Sequence, residues 1–275
     1  MDQLFEKIHQ LPNVPEVVME LIENFNNRNI SVDEVASSIK KDPNLALKVL
    51  RMANSARYGA GRNIGSIDDA VMLLGFDCVK TLVIASGVTC AFKEIPGLDR
   101  REFWRESFMV ANIARTIVRN SKIKDVSAET AFTCGILHNI GLTLMHIGHP
   151  DKMLRIDKLV EQGALRSELE LNQFGYDYTQ VGAELARRWR FPETIRTALE
   201  FQNHPLDTSP FSAYAAAVHL SAYLYRCIVN GKSEEEALGQ FPVDVRKPLS
   251  LDLLTLYEDI VELMHQDDDI DTILA

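Results

Sequence analysis

Three histidines, His138, His146 and His149, share one short stretch of the chain. Neutral imidazoles are the commonest protein ligands for transition metals, so the stretch invites a metal reading. Its spacing argues otherwise. His146 lies about two helical turns beyond His138 with Gly141 between them, and residues 130–150 hold no Asp or Glu to complete a site or orient the rings. From spacing alone the cluster is structural. The segment Gly59-Ala-Gly-Arg-Asn-Ile-Gly65-Ser66 offers glycines for a phosphate loop, but it lacks a Gly-Lys-Ser/Thr ending and its glycine spacing is one residue too long for a dinucleotide fingerprint. It reads as a connection between helices. Arginines recur as Arg51, Arg57 and Arg62, as Arg100, Arg101 and Arg105, and as Arg187, Arg188 and Arg190. Such groups can bind phosphates or acidic partner surfaces. Interleaved with acids as they are, they read as solvated helix faces. No Gly-x-Ser-x-Gly elbow and no obvious acid–base pair of carboxylates appears.

The composition narrows the classes further. The chain has 275 residues, 46% hydrophobic and 25% charged, which is ordinary globular usage and excludes a disordered or collagen-like chain. Its net charge is −10, of which −8 falls in residues 252–275, a stretch with no Lys or Arg that reads as a solvated helix end. Bulk attraction to nucleic acid or to anionic membrane is not expected. Cys78, Cys90, Cys134 and Cys227 show no metal-binding spacing and sit in apolar helical contexts, as free thiols of a reduced cytoplasmic protein would. The first residues lack the pattern of a signal peptide. The charge-free stretches 130–150 and 208–225 read as buried core helices rather than membrane spans.

Helix punctuation recurs along the whole chain, and no sustained strand pattern does. Pro15 opens a run with Val17, Val18, Leu21 and Ile22 on one face. Ser31 with Glu34 predicts a capping box, and Asp42-Pro43 an N-cap followed by proline at the first helical position. Ser66 starts a short helix that stops at Gly75, and the next runs from Phe76 to about Phe92. Gly97-Leu98-Asp99 separates two halves, and a long helix follows over about 100–120. Ser127 caps the helix leading to His138. Ser167 with Glu170, and Asp177 with Gln180, predict two more capping boxes. Ser209-Pro210 is expected to open a long helix ending near Gly231, and Ser250 the last one. The fold class is therefore all-α, with about a dozen helices.

Several ordered motifs carry a family resemblance. Leu47-Lys-Val-Leu-Arg-Met-Ala-Asn-Ser-Ala-Arg-Tyr-Gly59, Ile67-Asp-Asp-Ala-Val-Met-Leu-Leu-Gly75, Leu11-Pro-Asn-Val-Pro15 and Phe103-Trp104-Arg105 together resemble the HDOD family, a degenerate branch of the HD phosphohydrolase superfamily that includes the HD-GYP proteins. The resemblance spans residues 4 to 205. It implies an N-terminal helical subdomain over about 4–97 packed on HD-like helices over 98–205, with residues 206–275 completing the second part.

Active HD enzymes hold one or two metal ions with histidines and aspartates from several helices, and the metals make hydroxide from bound water. Position by position, the resemblance places Glu106 where the first histidine would stand. The His-Asp pair becomes His138-Asn139, Tyr178 replaces a further histidine, Asn203-His204 replaces a histidine pair, and Ala222 replaces the final aspartate. An asparagine lacks the charge that bridges two metals, and alanine offers no ligand. The resemblance therefore implies a vestigial site, no cofactor, no catalysis, and a protein-interaction scaffold in bacterial signal transduction. Its partners would be a histidine kinase, a response regulator or a cyclic di-GMP enzyme, with a small ligand in the vestigial cavity as a further expectation. The alternative is a metal-dependent phosphohydrolase of a nucleotide or cyclic dinucleotide with atypical ligands Glu106, His138, Asn139 and His204. Nucleic-acid binding through the arginine groups is a third reading, opposed by the acidic balance.

Overall fold

Local side-chain chemistry starts most of the helices. In the computed structural model, which describes residues 1–7, 14–27, 31–55, 58, 63–92 and 94–265, every regular element is helical. The described N-terminal helices are α1 (Asp2–Lys7), α2 (Glu16–Glu23), α3 (Val32–Lys41), α4 (Pro43–Ala53), α5 (Ile67–Leu74) and α6 (Phe76–Ala91). Then come α7 (Arg100–Asn120), α8 (Ala128–Leu137), α9 (Ile140–Gly148), α10 (Pro150–Glu161), α11 (Arg166–Phe174), α12 (Tyr178–Arg188) and α13 (Glu193–Glu200). The last are α14 (Ala213–Val229), α15 (Glu234–Gly239), α16 (Val243–Arg246) and α17 (Leu253–His265). The expected dozen is exceeded because pieces as short as α16 carry no readable amphipathic period. Side chains of Ser31, Asp42, Ser66, Ser127 and Asp177 accept hydrogen bonds from the first-turn amides of α3, α4, α5, α8 and α12, as punctuation predicts, though Ser31 with Glu34 makes only half of its expected box while Asp177 with Gln180 makes both halves; Asp99 caps α7 in the same way.

Three starts differ from expectation. Ser167 and Glu170 form no capping box: α11 begins two residues earlier, with Leu165 at its N-cap, and Glu170 turns inward to accept from the Tyr178 amide at 2.8 Å. Ser209-Pro210 does not open α14, because the Thr208 hydroxyl holds the Ser212 amide at 2.9 Å in a turn, and Ser212 then caps the helix. Ser250 closes a 3-10 turn in a left-handed conformation, and Asp252 begins α17 by accepting from the Leu254 amide. Leu11–Asn13, Arg57, Gly59–Arg62 and the acids from Asp267 to Asp271 lie outside the described residues.

The family-like motifs have physical roles. Asn54 donates to the carbonyls of Leu50 and Ile64 and accepts from the Ile64 amide at 2.7 Å, so it ties the end of α4 to the chain entering α5. Tyr58 meets Arg115 of α7: the guanidinium donates to the phenol at 2.6 Å and to Glu129 of α8 at 2.6 Å, and lies 4.1 Å above the Phe132 ring. A buried cation with those partners fastens the segment after α4 to α7 and α8. Trp104, fully buried, meets Phe103 edge-on. One continuous apolar cluster joins α1–α6 to α8, α9, α12 and α13, while a second gathers the C-terminal half of α7 with α14–α17. All four cysteines are free. Among the described residues no helix is long and apolar enough to cross a membrane.

Two glycines set the tightest helix contacts. A Cβ at Gly135 of α8 would lie 2.8 Å from the Ala111 amide nitrogen in α7. A Cβ at Gly141 of α9 would collide with the Tyr178 carbonyl and lie 2.6 Å from the Gly182 nitrogen, both in α12. Backbone cannot yield as a side-chain tip can, so these positions demand glycine. Gly141→Ala is expected to lower the unfolding free energy by about 3 kcal/mol in urea titration, through overpacking against backbone. A loss under about 0.5 kcal/mol, the range of neutral surface changes, would contradict the close approach.

Candidate functional site

The close contact of α9 with α12 sets the start of α12, and hence Tyr178, beside the turn that carries His138 and Asn139. α7 and α14 supply the neighbouring walls, and both pack on α8. Glu106 lies on α7, while Gln202, Asn203 and His204 follow α13. His219, Ala222 and Arg226 recur at one-turn spacing on α14.

Hydrogen bonds orient the polar groups. His138 is buried, and its Nδ1 lies 2.7 Å from the Gly135 carbonyl, which accepts only from an N–H. The neutral ring therefore carries its lone pair on Nε2, 4.0 Å from Glu106 Oε1. The Asn139 amide donates to that same Glu106 oxygen at 3.4 Å. Gln202 organises the opposite wall: its side-chain amide donates to the His138 carbonyl at 2.8 Å, and its own carbonyl accepts from His219 Nδ1 at 2.8 Å. Tyr178 donates its hydroxyl to Asn203 Oδ1 at 3.1 Å. His204 is exposed, and Ala222 is half-buried.

The electrostatics follow from burial and from one cation. Desolvation pushes the His138 imidazole down to about 4, assisted by Arg226. It likewise lowers His219, and it raises the Tyr178 hydroxyl to about 12. Glu106 is held above the usual carboxylate range by burial, with Arg226 and Arg166 opposing the rise. Arg226 thus acts on Glu106, His138, Tyr178 and His219 together, while its own guanidinium makes no hydrogen bond or ion pair among the described residues.

These groups do not fit a metal ion. Among the described residues no three His, Cys, Asp or Glu side chains are placed to hold one. Glu106 and His138 are brought together, but Asn139 spends its amide as a donor to the carboxylate, Ala222 has no donor atom, and the charge of Arg226 acts on both Glu106 and His138, disfavouring a further cation there. The histidine stretch is divided among three environments. Only His138 belongs here. His146 is fully buried with Nδ1 on the Pro96 carbonyl at 2.9 Å and Nε2 3.4 Å from Asp157, and His149 stacks on Phe174. The arginine groups are partly spent in surface pairs: Arg187 and Arg188 share Glu184, and Arg190 pairs with Glu23.

Sequence reasoning did not single out Gln202, His219 or Arg226. The periodic signal for the last two existed, since residues 219, 222 and 226 share one helical face. Gln202 also donates to the Leu199 carbonyl three residues back, but nothing local marked its links to the site, which join it to His138 and His219, 64 and 17 residues away.

A helical bundle that gathers a histidine-led turn, an α7 acid and an α14 face defines an HD-like protein. Within that class, the model of the HDOD domain matches residues 11–205, and the chain belongs to the HDOD domain family. The solved structure of a proposed phosphohydrolase from Shewanella amazonensis SB2B is 33% identical, with 99% of this chain and 98% of that one covered at a TM-score of 0.85. An HDOD domain protein of unknown function from Geobacter sulfurreducens is 23% identical at the same TM-score, covering 99% of this chain and 96% of that one. A proposed signal transduction protein from Marinobacter aquaeolei VT8 is 24% identical at a TM-score of 0.78, with 99% of this chain matching 64% of that one. Among curated proteins, an uncharacterized protein of Treponema pallidum (strain Nichols) is 22% identical over 206 residues, 74% of this chain but only 40% of the relative's length.

The buried imidazole gives a direct test. Because folding depresses the His138 value, its contribution to stability is intact above pH 6.5 and is lost as pH falls toward about 4, where the unfolded chain binds the proton and the folded chain does not. Imidazole ¹⁵N NMR is expected to show His138 as the neutral Nδ1–H tautomer down to about pH 5. Half-protonation at the ordinary value of 6.5 would contradict the buried geometry.

Proposed function

We propose that this HDOD domain is a non-catalytic signalling module that works by binding other proteins, on a degenerate HD site. One observation carries the reading: of the positions the resemblance assigns to the metal site, those gathered around Glu106 offer one acid, one imidazole and one donor amide, while Tyr178 and Asn203 bond each other, His204 is exposed, Ala222 has no donor, and Arg226 adds a positive charge felt by both Glu106 and His138. The hydrolytic chemistry of the superfamily needs several anionic or neutral donors converging on one cation, and an arginine beside them opposes that cation. What survives is a rigid helical body with a polar floor. In this reading residues of about 4–97 form an N-terminal helical subdomain and the remainder an HD-like part, both acting in the bacterial cytoplasm. The partners are signalling proteins: a histidine kinase, a response regulator or a cyclic di-GMP enzyme. Similarity of fold to the Marinobacter signal transduction protein supports that class without choosing among the three. A small ligand at the degenerate site regulates partner choice only if it binds one conformation better than another.

The phosphohydrolase alternative draws on the Shewanella relative's description and on the retained His138–Glu106 pair. It requires Glu106, His138, Asn139 and His204 to act as one ligand set, and exposed His204 is not among the groups gathered around Glu106.

Two measurements test the proposal. Full-length protein supplied with Mn²⁺, Fe²⁺ or Zn²⁺ is expected to hydrolyse neither bis(p-nitrophenyl) phosphate nor cyclic di-GMP above the buffer rate. Turnover that disappears in His138→Ala would sink the reading. Restoring the missing carboxylates with Asn139→Asp and Ala222→Asp is expected to raise Mn²⁺ affinity by about tenfold or more in calorimetry, as donor charge is returned to the site. Equal affinity of the double variant and the natural chain would mean that these positions never faced a metal.

A further inference from the structure

On the reverse side of the segment that carries Gln202 and Asn203, a cavity of about 700 Å³ opens between α13, residues 201–212 and the start of α14. Its size is that of a small-molecule pocket. Phe201, Phe211 and Tyr214 line it, and Ile123 and Val126 close one side. Among the described residues none of the three rings pairs with another aromatic ring, and none has a lysine or arginine above it. Among the described residues no basic side chain lines the cavity.

The polar groups divide into committed and uncommitted ones. The Thr208 hydroxyl donates to the Pro205 carbonyl and accepts from the Ser212 amide, and the Tyr214 hydroxyl accepts from the Ser127 amide. Glu193 is held by Arg196. Asp207, at the end of a 3-10 turn on the cavity wall, forms no ion pair among the described residues. Three aromatic rings therefore share a cavity with one uncompensated carboxylate. Ring faces are negative and attract cations, most strongly where water is partly excluded. The Asp207 carboxylate opposes an anionic ligand, against only the partial positive charge of the α13 and α14 N-termini at the cavity wall, and a purely apolar ligand would leave Asp207 unused.

We infer that this cavity binds an organic cation, an amine or quaternary ammonium with an apolar body, whose charge lies beside Asp207 and whose substituents pack on Phe201, Phe211 and Tyr214. The inference is independent of the signalling proposal, since none of the residues lining this cavity belongs to the group around His138.

The test is an amide NMR titration of the full chain with benzyltrimethylammonium as probe and phenylacetate as the anionic counterpart of similar size. Saturable shifts are expected at Thr197, Thr208 and Tyr214, with phenylacetate at least about tenfold weaker. Asp207→Asn, a change on an exposed side chain, is expected to weaken the ammonium by about fivefold with its far-ultraviolet dichroism unchanged. Thr197→Trp, which fills the cavity, should abolish the shifts in a chain that dichroism shows to be folded. Absence of saturable shifts, equal binding of phenylacetate, or undiminished binding by the Asp207→Asn chain would each overturn the assignment.

Discussion

The near-contact of α9 and α12 is the constraint on which the site depends. With a hydrogen in place of a side chain at Gly141, the first turn of α9 rests on the Tyr178 carbonyl and the Gly182 amide. That places the His138-Asn139 turn beside the start of α12. It also aims the Tyr178 amide at buried Glu170, whose carboxyl is raised to about 7 by desolvation. Any larger residue at 141 would separate the two helices and with them the groups that face each other across the turn. A second constraint of the same kind, at Gly135, sets α8 against α7 and so sets the distance from His138 to Glu106.

Within that frame the polar groups behave as a closed hydrogen-bonded set rather than as an open ligand set. Backbone carbonyls take the Nδ1 protons of both His138 and His219, which is how metal-binding imidazoles are commonly oriented. Yet the lone pair so presented by His138 meets the half-buried Glu106 carboxylate, which the Asn139 amide also engages, in the field of Arg226. Burial lowers both imidazoles and raises Glu106, each in the direction of its neutral form.

The contrast between residues that could and could not be read in advance is physical. Helix starts at Ser31, Asp42, Ser66, Ser127 and Asp177 depend on a side chain reaching an amide two or three residues away, and they stand where punctuation places them. Ser167, Ser209 and Ser250 carry the same chemistry, but longer-range partners or turns claim the neighbouring backbone, and the helices begin elsewhere. Glu170 shows why: as a capping residue it would face water, whereas the packing of α12 buries it as an acceptor for Tyr178.

From the order of residues alone came the all-helical class and the HDOD motifs, because each depends on local spacing or on a pattern along the chain. Tertiary structure alone decided that His146 and His149 belong to other environments, that Gln202 bridges His138 to His219, and that Arg226 supplies the positive charge over the site. Those relations join residues dozens of positions apart. They exist only once close-packed helices fix distances that no local propensity encodes.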